Sequence, residues 1–535
     1  MSSSEVTRGA SARTCHPVAF LLVYSLATAA LFQRPLYTLA LSRLDAFDTS
    51  AVLALSTLFV LQFVLTFVSL ALVAMASGRL AKALCIALLF GNAIALYFID
   101  SYGVVLDRSM MGNAFNTNVA EASSLLHPKL LLYVVGFAVI PSVLILRTQL
   151  VRKTRGLLIS LIVTCVLGTS WTYANAKSWL WLDHNFSALG GLMLPWSYVV
   201  NSVRYAQAAR APSQETLLPP ARVTDPAKSV VVLVIGESAR AHNFSLYGYP
   251  RDTNPALAKA GATAMPNTRA CTTYTTGSLR CMLSHLGAST PSGTLYEPLP
   301  TYLQRQGVDV TWRSNNAGEP AIKVARYEKA SDLRKGCHAD CARLDHDEVL
   351  LEGLEQQLRS PGARKHLVVL HTSGSHGPLY AKKYPPAFEL FKPTCQTVDL
   401  QKCTSGELVN AYDNSIAYTD YFLGRVISML KSIEGTEAVM VYVSDHGESL
   451  GEYGLYLHGT PDLMAPDVQK DIPFIVWTSD LFKLNRQVAD KTPGGRGAYS
   501  HDAVFHSVMG ALGLESAVYR RELDVFASSN EKKEP

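Results

Sequence analysis

The sequence predicts two architectures in one chain: a bundle of membrane-spanning helices, then an α/β/α domain built on a parallel sheet. Three observations carry this. The 535 residues are 48% hydrophobic and only 17% charged, with positive mean hydropathy, too apolar for an ordinary soluble enzyme. The apolar residues concentrate before residue 177 in long uncharged runs. After residue 228, short apolar runs alternate with helical stretches, the pattern of a parallel sheet covered on both faces.

The membrane part, residues 1–176, is expected to hold five helices, roughly 17–33, 51–76, 83–99, 130–146 and 156–176. Crossing a bilayer needs about 20 mostly apolar residues. Residues 49–78 carry no charge at all, so a soluble helical bundle is a poor alternative. The shorter third and fourth runs need Lys82, Lys129 and Arg147 to snorkel. Arg8 and Arg13, then Arg79 and Lys82, then Arg147, Arg152, Lys153 and Arg155 fall on one side of a five-span topology. That side is cytoplasmic by the positive-inside rule, and everything after residue 176 faces outward. The first run lacks a small-residue cleavage site and is followed by further spans, so it reads as an anchor rather than a signal peptide.

Cysteine usage agrees with export. Cys15, Cys85 and Cys165 lie in or near the membrane part. The other six form close pairs in the outer domain: Cys271 with Cys281, Cys337 with Cys341, and Cys395 with Cys403. Short separations favour these local disulfides, which need an oxidising compartment. "CHADC" at 337–341 resembles half of a zinc site, but no second half has suitable spacing. The net charge of +5, with no basic tract interleaved with aromatics, gives nucleic-acid binding no support.

Residues 177–228 read as a connector. "LMLPWSYVVNSVRYAQAAR" suits an interfacial helix and "APSQETLLPPARVTDPAK" a linker. The outer domain, 229–535, then opens with "SVVVLVIGES", a buried parallel strand ending at Gly236. Further strands are expected at 309–316, 366–377, 438–449 and 471–480, with helices over 347–360 and 410–433. Ligands of such sheets gather beyond the carboxyl ends of the strands. Those ends carry Glu237-Ser238, His371, His376-Gly377-Pro378 and Asp445-His446-Gly447-Glu448, with His458 nearby. Carboxylates and imidazoles at one sheet edge suit zinc or another divalent metal. A Zn²⁺ on Glu237, Asp445 and His446 leaves a fourth tetrahedral position. A threonine there gains the activation that its hydroxyl otherwise lacks. "CTTYTTGSLRC", residues 271–281, supplies four threonines, and composition does not choose among them.

Taken in order, "VIGESARAHNFSLYGYPRDTNP", "CTTYTTGSLRCMLSHLG", "WRSNN", "HTSGSHGP", "NAYDNSIAYTD", "VSDHGESLGEYGLYLHG" and "SHDAVFHSVMG" resemble the phosphoethanolamine transferases, including the lipid A-modifying and mobile colistin-resistance enzymes. The resemblance covers nearly the whole chain. It implies an alkaline phosphatase/sulfatase-like catalytic domain in the periplasm of a bacterial inner-membrane protein, most simply a monomer. It implies phosphatidylethanolamine as donor and lipid A, or another lipopolysaccharide or envelope glycan, as acceptor. By position, the resemblance makes Glu237, Thr275, Asp445 and His446 the zinc ligands and Thr275 the nucleophile. Thr272, Thr273 and Thr276 become lining or structural hydroxyls, with Thr273 in the substrate-binding set. His376 and His458 lie near the transferred group, as acids or as holders of a second zinc. Asn113, Thr117 and Glu121, spaced by four on one helical face, are expected at the ethanolamine head group, and Asn316 at substrate. One departure stands out: Ala317, Gly318, Glu319 and Pro320 follow "WRSNN" where the family tends to have a serine and a nearby lysine, and Lys323 comes later. The alternative reading is a related sulfatase-fold phosphoglycerol transferase or phosphodiesterase. A sulfatase proper is excluded, because neither Cys271 nor Cys281 stands in a Cys-x-Pro-x-Arg pattern.

Overall fold

The structure, a computed structural model, describes residues 13–44, 47–117, 125–151, 153–210, 215–291, 294–335, 345–360, 362–486 and 498–527. Glu121 and the Cys337/Cys341 pair lie outside these residues. Among the described residues, contacts divide the chain into two units: Met1–Met111 with Leu126–Arg204, and Gly112–Leu125 with Tyr205–Pro535.

The first unit is helical. Four of its helices are long and apolar enough to span a bilayer: α3 (Thr49–Ala76), α4 (Gly78–Tyr102), α6 (Pro128–Leu146) and α7 (Thr154–Ala174). The first expected span is a bent pair, α1 (Pro17–Phe32) and α2 (Arg34–Ser42), angled by 56° and passing the same test only together. Buried Gln33 sits at the break, and its amide donates to the Leu194 carbonyl at 2.5 Å. Large apolar side chains such as Leu131, Leu132, Ile159 and Leu167 are exposed, as lipid-facing surfaces require. The stretch expected as a connector instead divides. After α5 (Arg108–Asn116), which runs across the division between units, α8 (Lys177–Gly190) and the start of α9 (Trp196–Arg210) belong to the first unit. Part-buried polar contacts hold the start of α9 there: Trp196 Nε1 donates to Thr66 Oγ1 at 3.2 Å, and the Tyr198 hydroxyl donates to Asn92 Oδ1 at 3.1 Å.

The second unit is a seven-stranded sheet between helical layers. Its strands are β1 (Ser229–Gly236), β2 (Thr263–Ala264), β3 (Asp309–Ser314), β4 (Arg326–Lys329), β5 (Lys365–His371), β6 (Glu437–Ser444) and β7 (Phe474–Thr478), in spatial order β4-β3-β5-β1-β6-β7-β2. The two-residue alternation of side chains sorts each central strand onto two cores. Val231, Leu233 and Ile235 join Leu367, Val369, Val439 and Val441 on one face, against α12 (Asp502–Leu512) and α10 (Thr275–Met282). Val230, Val232 and Val234 join Val368, Leu370, Met440 and Tyr442 on the other, against α11 (Ser405–Lys431). The first turn of α11 is closed by a capping box between Thr404 and Glu407.

Two expectations are corrected. The sheet is not wholly parallel: β7 runs antiparallel to β6, and β2 antiparallel to β7. No α-helix lies between Ser444 and Phe474, so the chain has no crossover to bring β7 back in the parallel sense. The helix expected over 347–360 is also broken. A 3-10 turn ends at Leu351 and an α-helix starts at Leu354, with Gly353 at φ +65° between them.

Candidate active site

The central strands deliver their ends to one place. The parallel register pairs Ser444 with Gly236, so Glu237 and Asp445 leave adjacent strands side by side. The Asp445 amide continues the ladder onto the Gly236 carbonyl at 3.0 Å. Ser238 then turns at φ +54°, a strained conformation for a residue with a side chain. Its amide donates to Asp445 Oδ1 at 3.1 Å and its hydroxyl to Glu237 Oε1 at 2.7 Å. His446 follows, with Nδ1 2.9 Å from the Gly447 carbonyl. A carbonyl only accepts, so Nδ1 carries the proton and Nε2 is left as a ligand atom. Nε2 lies 3.2 Å from Asp445 Oδ2 and 3.4 Å from Glu237 Oε1.

Thr275 is brought to this cluster as the first residue of α10. The Cys271–Cys281 disulfide ties the loop before the helix to its last turn. Thr275 Oγ1 lies 3.3 Å from Glu237 Oε2 and 3.4 Å from His446 Nε2. The other threonines are engaged elsewhere or stand beside it. Thr272 bonds the Tyr274 carbonyl and the Ser278 hydroxyl. Thr276 lines the cavity in front of Thr275. Thr273, expected to bind substrate, is buried and donates to the Thr460 carbonyl at 2.6 Å, so it anchors the loop carrying His458.

That cavity is small, about 50 Å³, and His376 and His458 line it. Their rings are 5.2 Å apart, and the His458 ring lies 4.2 Å from that of His446, tilted by 39°. His458 Nδ1 lies 2.8 Å from Glu448 Oε2. Glu448 is fully buried, with the Tyr380 hydroxyl on its other oxygen at 2.6 Å. Asn113 and Thr117 also line the cavity, and Asn116 joins them. The Thr117 hydroxyl itself donates to the Asn113 carbonyl.

Sequence reasoning missed several positioning groups. Asn316, expected at substrate, donates its amide to Glu237 Oε2 at 2.7 Å and to the Thr372 carbonyl at 3.0 Å, while its oxygen accepts from the Ala317 amide. It holds the carboxylate of Glu237, one of the expected metal ligands. Glu448 is expected from the sequence only as one of the strand-end carboxylates suited to a metal, and buried carboxylate partners of histidines have no spacing signature. His371 is buried 3.3 Å from Ser314 Oγ and 3.6 Å from Glu319, apart from the Glu237 cluster. Burial pushes the Glu319 carboxyl up, but His371 and Tyr327 outweigh this and hold it at about 2. Lys323 pairs with Glu215.

The electrostatics call for a cation. Glu237 and Asp445 are adjacent and fully buried. Burial and the neighbouring Glu237 charge push Asp445 far up. Glu237 is also pushed up by burial, yet the imidazoles of His446, His376 and His458 bring it well below the usual carboxylate range. Burial, and then His458, push His446 down to about 3, so it is neutral, as a ligand imidazole must be. Among the described residues, Asp445 Oδ2 has no hydrogen-bond donor. The contacts that His446 Nε2 makes with Asp445, Glu237 and Thr275, and that Thr275 makes with Glu237, span 3.2–3.4 Å, with Glu237 using both of its oxygens. A tetrahedron with bonds of ~2.0 Å has edges of about 3.3 Å, so these contacts have the spacing of a Zn²⁺ ligand set.

Comparison with known proteins agrees in both units. Residues 62–210 match the family "Phosphoethanolamine transferase EptA/EptB", and residues 229–514 match the family "Sulfatase". The phosphoethanolamine transferase EptA of Helicobacter pylori is 41% identical over 450 residues, covering 82% of this chain and 84% of that protein. EptA of Escherichia coli K12 is 35% identical, covering 83% and 84%. The solved integral membrane lipooligosaccharide phosphoethanolamine transferase A of Neisseria meningitidis superposes with a TM-score of 0.88 at 28% identity, covering 96% of this chain and 99% of that one. With apolar helices able to span a bilayer and a sulfatase-like catalytic unit, this chain belongs to the phosphoethanolamine transferase family of integral membrane enzymes.

Proposed function

We propose that the enzyme moves phosphoethanolamine from phosphatidylethanolamine to a lipid A phosphate through a covalent intermediate on Thr275, at the periplasmic face of the bacterial inner membrane. The observation that carries this is the Thr275 hydroxyl, within 3.4 Å of both Glu237 and His446 at the floor of a histidine-lined cavity. Bound Zn²⁺, held by Glu237, Asp445, His446 and Thr275, supplies a Lewis acid that lowers the hydroxyl pKa and neutralises phosphoryl charge.

The residues then divide the work. Thr275 Oγ1 attacks phosphorus, and its proton leaves to solvent through the cavity. The phosphorus–glycerol oxygen bond breaks. His458, oriented by Glu448, protonates the leaving diacylglycerol oxygen through Nε2. In the second step a lipid A phosphate oxygen attacks the phosphothreonine. The imidazole regains its proton from that acceptor, and the Thr275 oxygen takes one back from solvent. His376 and the N-terminal end of α10 face the same phosphoryl group. Asn113 and Thr117 recognise the ethanolamine end, with Glu121 as the partner for its ammonium. The acceptor gains an amine, so the outer surface becomes less negative and binds cationic peptides such as polymyxin less well.

The test is mass spectrometry of lipid A from cells with and without the protein, alongside Thr275→Ala. The expected result is one added phosphoethanolamine that disappears in the variant. Unmodified lipid A in every strain refutes the acceptor, and an active Thr275→Ala refutes the nucleophile.

A further inference from the structure

His501 precedes α12, is fully buried, and is not among the residues lining the catalytic cavity. Its two nitrogens are both engaged, and in opposite senses. Nδ1 accepts the Cys271 amide N–H at 3.2 Å. Nε2 donates to the Ser444 carbonyl at 2.8 Å. An amide N–H only donates and a carbonyl only accepts, so one neutral tautomer satisfies both ends and the other satisfies neither.

The two partners are what give this bridge meaning. Cys271 begins the loop that delivers Thr275 and is covalently tied to α10 through Cys281. Ser444 is the last residue of β6, and Asp445 and His446 follow it directly. One rigid ring therefore spans from the nucleophile's loop to the strand that presents two metal-site ligands. The neighbouring Asp502 reaches the turn that follows α10: its Oδ1 accepts the Ala288 amide at 2.8 Å. The imidazole works as a strut of fixed length between the two halves of the site.

We propose that His501 is a positioning residue, which sets Thr275 Oγ1 at its distance from Glu237 and His446. This rests on Thr275 being the nucleophile. A shift of ~1 Å in a reacting atom costs about 100-fold in rate, whereas zinc retains Glu237, Asp445 and His446 when the strut is cut.

The test uses full-length protein in detergent with His501→Ala, His501→Asn and His501→Gln. Asn keeps an acceptor near the Nδ1 position, and Gln keeps a donor near the Nε2 position. Three quantities are measured per folded molecule: kcat with the KM for phosphatidylethanolamine, the rate of phosphothreonine formation, and affinity for Zn²⁺ alone by chelator competition. The expected result is a kcat and phosphothreonine rate lower by roughly 10- to 100-fold in His501→Ala. KM and Zn²⁺ affinity stay within about threefold, and the Asn and Gln variants recover part of the rate. Wild-type kcat in folded His501→Ala, or in both Asn and Gln variants if Ala does not fold, overturns the proposal. So does a loss confined to KM, or one that only follows the folded fraction. An active Thr275→Ala marks failure of the nucleophile assignment instead.

Discussion

Asn316→Ala tests how far the metal site depends on a residue that does not ligate. Its amide donates to Glu237 Oε2 at 2.7 Å, and Glu237 is fully buried. A hydrogen bond to a charged group contributes about 1.5–3 kcal/mol, and a buried acceptor left bare costs its desolvation as well. Alanine removes this donor and frees the carboxylate to rotate. The second Asn316 bond, to the Thr372 carbonyl, is neutral and contributes only about 1 kcal/mol. The loss at Glu237 corresponds to roughly a 10- to 100-fold weaker hold on metal, the usual range when a ligand's orienting partner is removed. Asn316→Asp is the sharper probe. It keeps the shape but sets a second carboxylate against Glu237, so the apo protein is destabilised further. The assay is Zn²⁺ affinity of the full-length protein by competition with a chelating dye, with thermal unfolding in excess Zn²⁺ as the control for folding. Unchanged affinity in Asn316→Ala refutes the view that this bond sets the ligand geometry.

The remaining predictions are these. Removing Zn²⁺ with a chelator lowers Tm, because the buried Glu237–Asp445 pair loses its counter-charge; adding Zn²⁺ back restores it, and the recovery grows with free Zn²⁺ as mass action requires. Glu448→Gln lowers kcat about 10- to 100-fold with little change in donor KM, since His458 loses the carboxylate that fixes its ring; a pH–rate profile with an unmoved alkaline limb argues against that role. Gly447→Ala abolishes Zn²⁺ binding, because a Cβ there meets the Val468 carbonyl oxygen at 2.0 Å and pushes His446 out of place; normal Zn²⁺ content in the variant refutes this. Burial holds His501 and His506 at about 4, below the ordinary histidine value. The unfolded chain therefore binds protons first as pH falls from about 6.5, and stability drops by about 1.4 kcal/mol per pH unit for each buried ring until pH 4. His506→Asn flattens that fall in an acid-unfolding series.

What the sequence disclosed, and what it did not, follows from how far each signal reaches along the chain. Uncharged runs revealed α3 and α7 because burial in lipid acts on every residue of a span. The all-apolar "SVVVLVIG" revealed β1 because a central parallel strand is covered on both faces. Neither signal specifies strand direction, which is why antiparallel β7 was read as one more parallel strand. The donor set Glu237, Asp445 and His446 was legible as chemistry because strand ends collect ligands, but choosing Thr275 among four threonines needed the family likeness. The positioning groups were not legible at all. Asn316 reaches Glu237 across 79 positions, and His501 reaches Cys271 across 230.

Those long reaches explain the cysteine-fenced loop. A disulfide of sequence separation 10 limits how far Thr275 can wander relative to α10, but it cannot say where α10 lies. That placement comes from contacts made outside the loop: His501 on Cys271, Thr460 on Thr273, and the Gly459 amide on the Thr273 carbonyl at 2.8 Å. The Gly459 and Thr460 bonds bring His458 with them, so the proposed acid and the proposed nucleophile are carried on loops bonded directly to each other. Moving one moves the other. A displaced Thr275 loop therefore changes attack and leaving-group protonation together, and substitutions at Thr273 and His501 are expected to be non-additive in kcat.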